Sequence, residues 1–250
     1  MTANGTSSAP LKRVGVIVPS LNTIIEDDFR QYLPADVAYH TARLRLRKVD
    51  GKVTHDSLRE AGEEAPAIAQ YLSDAMVDAI AFNCTGACAE GGPEANARIE
   101  RSIVESTGVP ATTTLSALLQ AIEELGIRRL VHVSPFTSSF GNDEADFLRA
   151  SGCDVIETAC MNHVDARAVA KLEPREFVEF AQRTDTSDAD AVFLACANAR
   201  TLAAVDELED ILDKPVLTSN QVVIWALLKL VGRLTPIAGG GRLFTSHAVR

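Results

Sequence analysis

The chain has 250 residues, 46% of them hydrophobic and 23% charged, with a formal net charge of −10 at pH 7. That composition suits a globular protein, and no apolar run reaches the roughly 18 residues that a membrane span needs. The acidic balance, without any Lys/Arg stripe, argues against nucleic acid as a partner.

In chain order, the first ten residues are small and polar and lack the basic and apolar regions of a secretory signal. Residues 1–12 therefore read as a disordered tail, and a cytoplasmic location is expected. Residues 13–18 form a buried-strand pattern ending in Pro19-Ser20-Leu21-Asn22-Thr23. Ser20, Asn22 and Thr23 offer donors that suit a carboxylate, and they equally suit a helix cap, with Glu26 three residues after Thr23 as a capping box requires. Arg43 to Lys48 alternates basic and apolar residues like one face of a half-buried strand. A helix is expected over 57–73 and a second buried strand over 78–82.

That strand runs into Asn83-Cys84-Thr85-Gly86-Ala87-Cys88. Gly86 lets the backbone approach a ligand, Thr85 offers a hydroxyl, and a helix N-terminus beside Cys84 is expected to draw the thiol from about 8.5 toward neutrality. The competing reading makes cysteine a small buried hydrophobe, and Cys88 is read that way. Further helices are expected over 93–107, 115–125, 139–150, 173–183, 201–212 and 221–231. Strands are expected over 129–133, with His132 as a core residue, and over 190–194. The loops at Ser134-Pro135-Phe136-Thr137 and Thr218-Ser219-Asn220-Gln221 follow the same strand-end logic, the latter read chiefly as the cap of a helix from Gln221.

Five cysteines, an odd number, show no paired C-x-x-C knuckles, so free thiols are expected, with Cys153 and Cys160 structural. His40, His55, His132, His163 and His247 have no paired metal-ligand spacing, and Gly239-Gly240-Gly241 has no evident helix after it, so neither a metal nor a nucleotide cofactor is expected.

The chain also repeats itself. Residues 78–84 align without gaps on 190–196, each strand ending in a cysteine, and Val109-Pro110-Ala111-Thr112 matches Lys214-Pro215-Val216-Leu217-Thr218. The expected architecture is α/β, with two similar Rossmann-like (flavodoxin-like) halves built on parallel sheets and related by a pseudo-two-fold. The first half would span 13–115, completed by 232–250, and the second 116–231. Ligands in such sheets bind beyond the carboxyl ends of the strands, which would put Cys84 and Cys196 on opposite sides of one cleft between the halves.

With these loops in view, the chain resembles the aspartate/glutamate racemase superfamily, in its maleate cis-trans isomerase and arylmalonate decarboxylase branch. Pro19-Ser20-Leu21-Asn22-Thr23, Asn83-Cys84-Thr85-Gly86 and Ala195-Cys196-Ala197 resemble the isomerase loops, while Gly108-Val109-Pro110-Ala111-Thr112-Thr113 and Gly240-Gly241-Arg242-Leu243-Phe244 look more like the decarboxylase. The resemblance implies cofactor-independent chemistry on a small carboxylate by Cys84 and Cys196. Ser20, Asn22, Thr85, Gly86, Phe136, Ala197 and Asn198 would bind the substrate, and a homodimer is implied. It implies cis-trans isomerisation first, with racemisation, decarboxylation or non-catalytic carboxylate binding as alternatives. In the decarboxylases a glycine occupies the place of Cys84. Two departures stand out: Phe136 replaces a tyrosine whose hydroxyl binds a carboxylate, and Ala166 stands near where the isomerases carry an asparagine.

Overall fold

The computed structural model describes residues 10–49, 52–184 and 187–245, so residues 1–9 of the expected tail, and His247, lie outside the described residues. The first half comprises β1 (Lys12–Pro19), α1 (Ile25–Tyr32), β2 (Val37–Leu44), α2 (His55–Asp74), β3 (Ala79–Phe82), α3 (Thr85–Ala89), α4 (Gly92–Thr107), β4 (Ala111–Thr113) and α5 (Thr114–Glu124). The second comprises β5 (Arg129–Phe136), α6 (Ser138–Ala150), β6 (Asp154–His163), α7 (Ala166–Val169), α8 (Pro174–Thr184), β7 (Ala191–Leu194), a 3-10 turn (Leu202–Ala204), α9 (Val205–Leu212), β8 (Val216–Thr218) and α10 (Ser219–Leu230). A short α11 (Gly241–Thr245) follows Gly239-Gly240, where no helix was expected.

Two four-stranded parallel sheets result, ordered β2-β1-β3-β4 and β6-β5-β7-β8, so the halves share one topology. The central strands β1, β3, β5 and β7 are covered on both faces and carry the continuous apolar runs visible in the sequence. The edge strands β2 and β6 are only partly buried, and their mixed composition hid them. The basic-apolar alternation at 43–48 is real, with Leu44 and Leu46 buried between exposed arginines, but β2 ends at Leu44 and the rest is loop.

The repeat extends to single hydrogen bonds. Asp78, just before β3, accepts from the Arg13 N–H at 2.8 Å and the Lys12 ammonium at 2.9 Å, while its own N–H donates to Arg13 O. Asp190, just before β7, accepts from the N–H groups of Arg129 and Arg128 at 2.8 and 3.0 Å, and its N–H donates to Arg129 O. Each aspartate pins its central strand to the first strand of its sheet. At the other end, Asn83 N–H donates to Ile17 O and Ala195 N–H to Val133 O, both at 2.8 Å, which brings the two cysteines to equivalent strand ends.

The sheets are joined by α5 and α10, which pack against each other, while α10 also reaches β3, β4 and α1 of the first half. Residues 219–228 of α10 are all buried, as expected of a helix that is apolar on every side. It starts at Ser219, two residues before the expected position, because Thr218 caps it: Thr218 Oγ1 accepts from Gln221 N–H and Gln221 Oε1 accepts from Thr218 N–H. The C-terminal segment touches both halves. Arg233 pairs with Asp36, whereas α11 packs on α9 and β8, and Gly240 O accepts from Gln221 Nε2.

Hydrogen bonds to charged carboxylates hold Asp78, through Lys12 and then Arg13, and Asp190, through the backbone of Arg129 and Arg128, below the ordinary carboxylate range. Both side chains are about one-third exposed, so solvent screening keeps their contribution modest. Asp78→Asn and Asp190→Asn should each lower urea stability by about 0.5–1 kcal/mol at pH 7. Because the folded-state values are depressed, that contribution is complete above the unfolded carboxylate range and fades as pH falls through the folded value. The gap between wild type and each variant should therefore begin to close only below about pH 4 and vanish below the depressed folded value.

Candidate active site

A cavity of about 240 Å³ opens between the halves at the carboxyl ends of the strands. It is lined by Cys84, Thr85 and Gly86 from the end of β3, by Cys196, Ala197 and Asn198 from the end of β7, and by Pro19, Leu21 and Asn22 after β1. Phe136, Thr137, Phe140 and Glu144 close one wall; Leu46, Val53 and Leu58 another; Lys52, His163, Val164 and Ala166 complete it. Eight of the nine site residues expected from sequence thus meet in one cavity. Ser20 is the exception: it is exposed, it does not line the cavity, and its N–H is bound to Leu44 O.

The two thiols are presented differently. Cys84 is extended, with φ −148°, and is followed at once by the single turn of α3. Cys196 has φ +96°, a left-handed conformation that a side chain rarely adopts, and no α-helix follows it directly. Such a conformation costs of order 1–3 kcal/mol and persists only where its surroundings enforce it. Asn198 does so here: its N–H meets Cys196 Sγ at 3.4 Å, its Oδ1 accepts from Thr23 N–H at 2.9 Å, and its Nδ2 donates to Ala166 O at 2.9 Å.

A buried polar network stands behind both loops. Asn220 Nδ2 donates to Asp28 Oδ2 at 2.7 Å and to Ala197 O at 3.2 Å, and Asn220 Oδ1 accepts from Asn83 Nδ2 at 2.9 Å. Thr114 Oγ1 donates to Asn83 Oδ1, and the hydroxyls of Thr85 and Ser219 share a hydrogen bond of 2.8 Å. Ile24 is the N-cap of α1 and has no side-chain cap, so neither Thr23 nor a capping box starts the helix; Asn22 Oδ1 accepts from the N–H groups of Ile24 and Ile25, and its Nδ2 donates to Ala197 O at 2.8 Å. One amide hydrogen of Asn22 is left for the cavity. Glu26, expected to complete a capping box with Thr23, is paired with Arg43 instead.

The expected easy ionisation of Cys84 is not what the site provides. Burial pushes the Cys84 thiol far above its usual value, and Cys88, Cys196 and Glu144 push it the same way. Burial also pushes Cys196 up to about 12, offset in part by the Asn198 N–H. A single helical turn cannot outweigh the desolvation of a buried anion. Cys88 and Cys153 are buried, donating to Phe82 O and Arg128 O, and all five cysteines are free.

Sequence reasoning missed Glu144 and the apolar walls. Glu144 falls on the buried face of α6 with Phe147 and Leu148, three and four residues on, and that periodicity was its one signal. The Phe136 ring meets Phe140 edge to face at 6.4 Å, so the third loop contributes an aromatic surface and no hydroxyl. Among the described residues, one cluster has groups close enough to hold a metal ion, His55, Glu90 and Asp143, in which His55 Nδ1 lies 3.0 Å from Glu90 of its own half and 3.2 Å from Asp143 of the other, outside this cavity.

A family model for arylmalonate decarboxylase matches residues 14–244. Maleate isomerase of Geobacillus stearothermophilus is 28% identical over 93% of this chain and 97% of its own. Arylmalonate decarboxylase of Bordetella bronchiseptica is 26% identical over 92% and 95%. Among solved structures, a cysteine-to-alanine variant of the maleate isomerase Iso from Pseudomonas putida S16, with maleate, superposes with a TM-score of 0.86 at 26% identity, covering 94% of this chain and 98% of that one.

Two outcomes follow from the buried groups. Alkylation of Cys84 and Cys196 by iodoacetamide, followed by peptide mass spectrometry, should be slow at pH 7 and accelerate about tenfold per pH unit up to pH 9, with no plateau. A plateau near neutrality would contradict the burial argument. Asp28, buried and raised to about 7 by desolvation against the opposing Asn220 hydrogen bond, favours its neutral form in the folded chain. Its contribution to stability is thus present below the unfolded carboxylate value and lost as pH rises toward 7. The stability of Asp28→Asn relative to wild type should increase by about 2–4 kcal/mol between pH 4 and pH 8 in urea titrations.

Proposed function

The chain belongs to the arylmalonate decarboxylase family, and from that premise we propose that it is a cofactor-independent isomerase that interconverts the cis and trans forms of a small unsaturated carboxylate. The observation that carries this reading is the pair of buried thiols, Cys84 and Cys196, at equivalent strand ends lining one mostly apolar cavity. Relatives named maleate isomerase, aligned over nearly their whole length, support it. Cys84 further favours isomerisation over simple decarboxylation, because it supplies a nucleophile where the resemblance gives the decarboxylases a glycine.

In this mechanism the Cys84 thiol gives its proton to solvent water as the substrate enters and recovers one from water after turnover, and its sulfur adds to one alkene carbon. The π electrons move onto the other carbon and its carboxylate as an enediolate. The former double bond, now single, rotates; the electron pair returns and the sulfur leaves. Cys196 gives a proton to the carbanionic carbon and recovers it before elimination. The enediolate is stabilised by the Thr85 hydroxyl, by the backbone N–H of Gly86 at the first turn of α3, by the loop of Ala197 and Asn198, and by the free amide hydrogen of Asn22. The apolar walls keep water from the carbanion.

Purified protein incubated with maleate in deuterated buffer, without added metal or cofactor, should form fumarate by proton NMR. Cys84→Ser and Cys196→Ser should each lower the rate by at least a hundredfold, the scale of losing a catalytic nucleophile or acid. Deuterium wash-in to a chiral α-substituted acid, with no alkene isomerised, would instead assign the thiols to racemisation.

A further inference from the structure

Among the described residues Glu144 is the one acidic side chain lining the cavity, and it has no part in the chemistry above. It is 2% exposed, and its Oε2 lies 3.1 Å from His132 Nε2. His132, mid-strand in β5 and fully buried beside Phe193, has no partner for its Nδ1. With no acceptor at Nδ1, the tautomer that suits this surrounding carries its hydrogen on Nε2 and donates it to Glu144. No other hydrogen bond to the Glu144 carboxyl is found among the described residues, although an ionised carboxyl group can accept about four.

The Glu144 carboxyl therefore has room to accept from whatever occupies the cavity it lines. On the neighbouring wall Phe136 and Phe140 present rings, and Thr137 is the side chain there with a hydroxyl. The lining includes the cation Lys52, beside Val53, but a second substrate carboxylate placed next to Glu144 would set two carboxyl groups together and find no hydroxyl at Phe136. A neutral group bearing N–H or O–H would instead complete the Glu144 hydrogen bonds.

We propose that Glu144 selects the second arm of the substrate, so that the site takes a cis-enoate with one carboxylate at the cysteine loops and a neutral hydrogen-bond donor at Glu144, in the simplest case a carboxamide. The alkene rests on the isomerase reading; the selection does not. His132 positions the Glu144 carboxyl, and the apolar walls accept the carbon skeleton between the two ends.

Binding of succinate and of its monoamide, succinamate, both lacking the alkene, separates the two questions. By calorimetry the wild-type chain should bind succinamate at least tenfold more tightly than succinate, and Glu144→Gln and Glu144→Leu should each bring that ratio within about threefold, with circular dichroism confirming that the variants fold. An unchanged ratio in a folded variant, a wild-type preference for succinate, or no binding of either compound would overturn the proposal. Turnover is scored separately with maleamate, the cis-enoate monoamide. Selective succinamate binding without isomerisation of maleamate would sink the isomerase reading while leaving the role of Glu144 intact.

Discussion

The side-chain amide of Asn220, fully buried on α10, is the contact on which the geometry of the site depends. It accepts from Asn83, the residue before Cys84, and donates to Ala197 O, the residue after Cys196, and to Asp28 on α1. One amide therefore sets both cysteine loops relative to each other and to the helix that follows β1. Its position is fixed by α10, whose apolar surface on every side leaves it no place except between the sheets. Buried polar networks are worth most when fully satisfied and cost most when broken, so this one ties the alignment of the thiols to the stability of the core.

Much of this was legible in sequence because the repeat and the central strands write themselves as continuous apolar runs ending in cysteine. The fold class, the pairing of Cys84 with Cys196 and the strand-end loops all followed from residues 78–84 and 190–196. What sequence hid has physical reasons. The edge strands β2 and β6 are half-solvated and lack a continuous pattern. Thr23 does not cap α1, and the side chain that meets the entering N–H groups is that of Asn22, which also holds Ala197, a contact 175 residues away that no local rule contains. The raised Cys84 thiol depends on burial, which spacing does not report, and Glu144 looks like any glutamate of a surface helix until its neighbours at i+3 and i+4 are seen to be core.

Two identical sheet topologies nevertheless deliver two unlike thiols. Cys84 leaves an extended strand and enters a helical turn, whereas Cys196 is held in a left-handed conformation by the Asn198 contacts. Burial raises both thiols and Glu144 adds to each, while a backbone N–H opposes the rise at each sulfur, from Ala87 at Cys84 and from Asn198 at Cys196. The asymmetry of the two thiols therefore lies in their backbone geometry and not in the direction of their ionisation. A duplicated frame brings the two sulfurs to one cavity, and the loops that break its symmetry give them different surroundings.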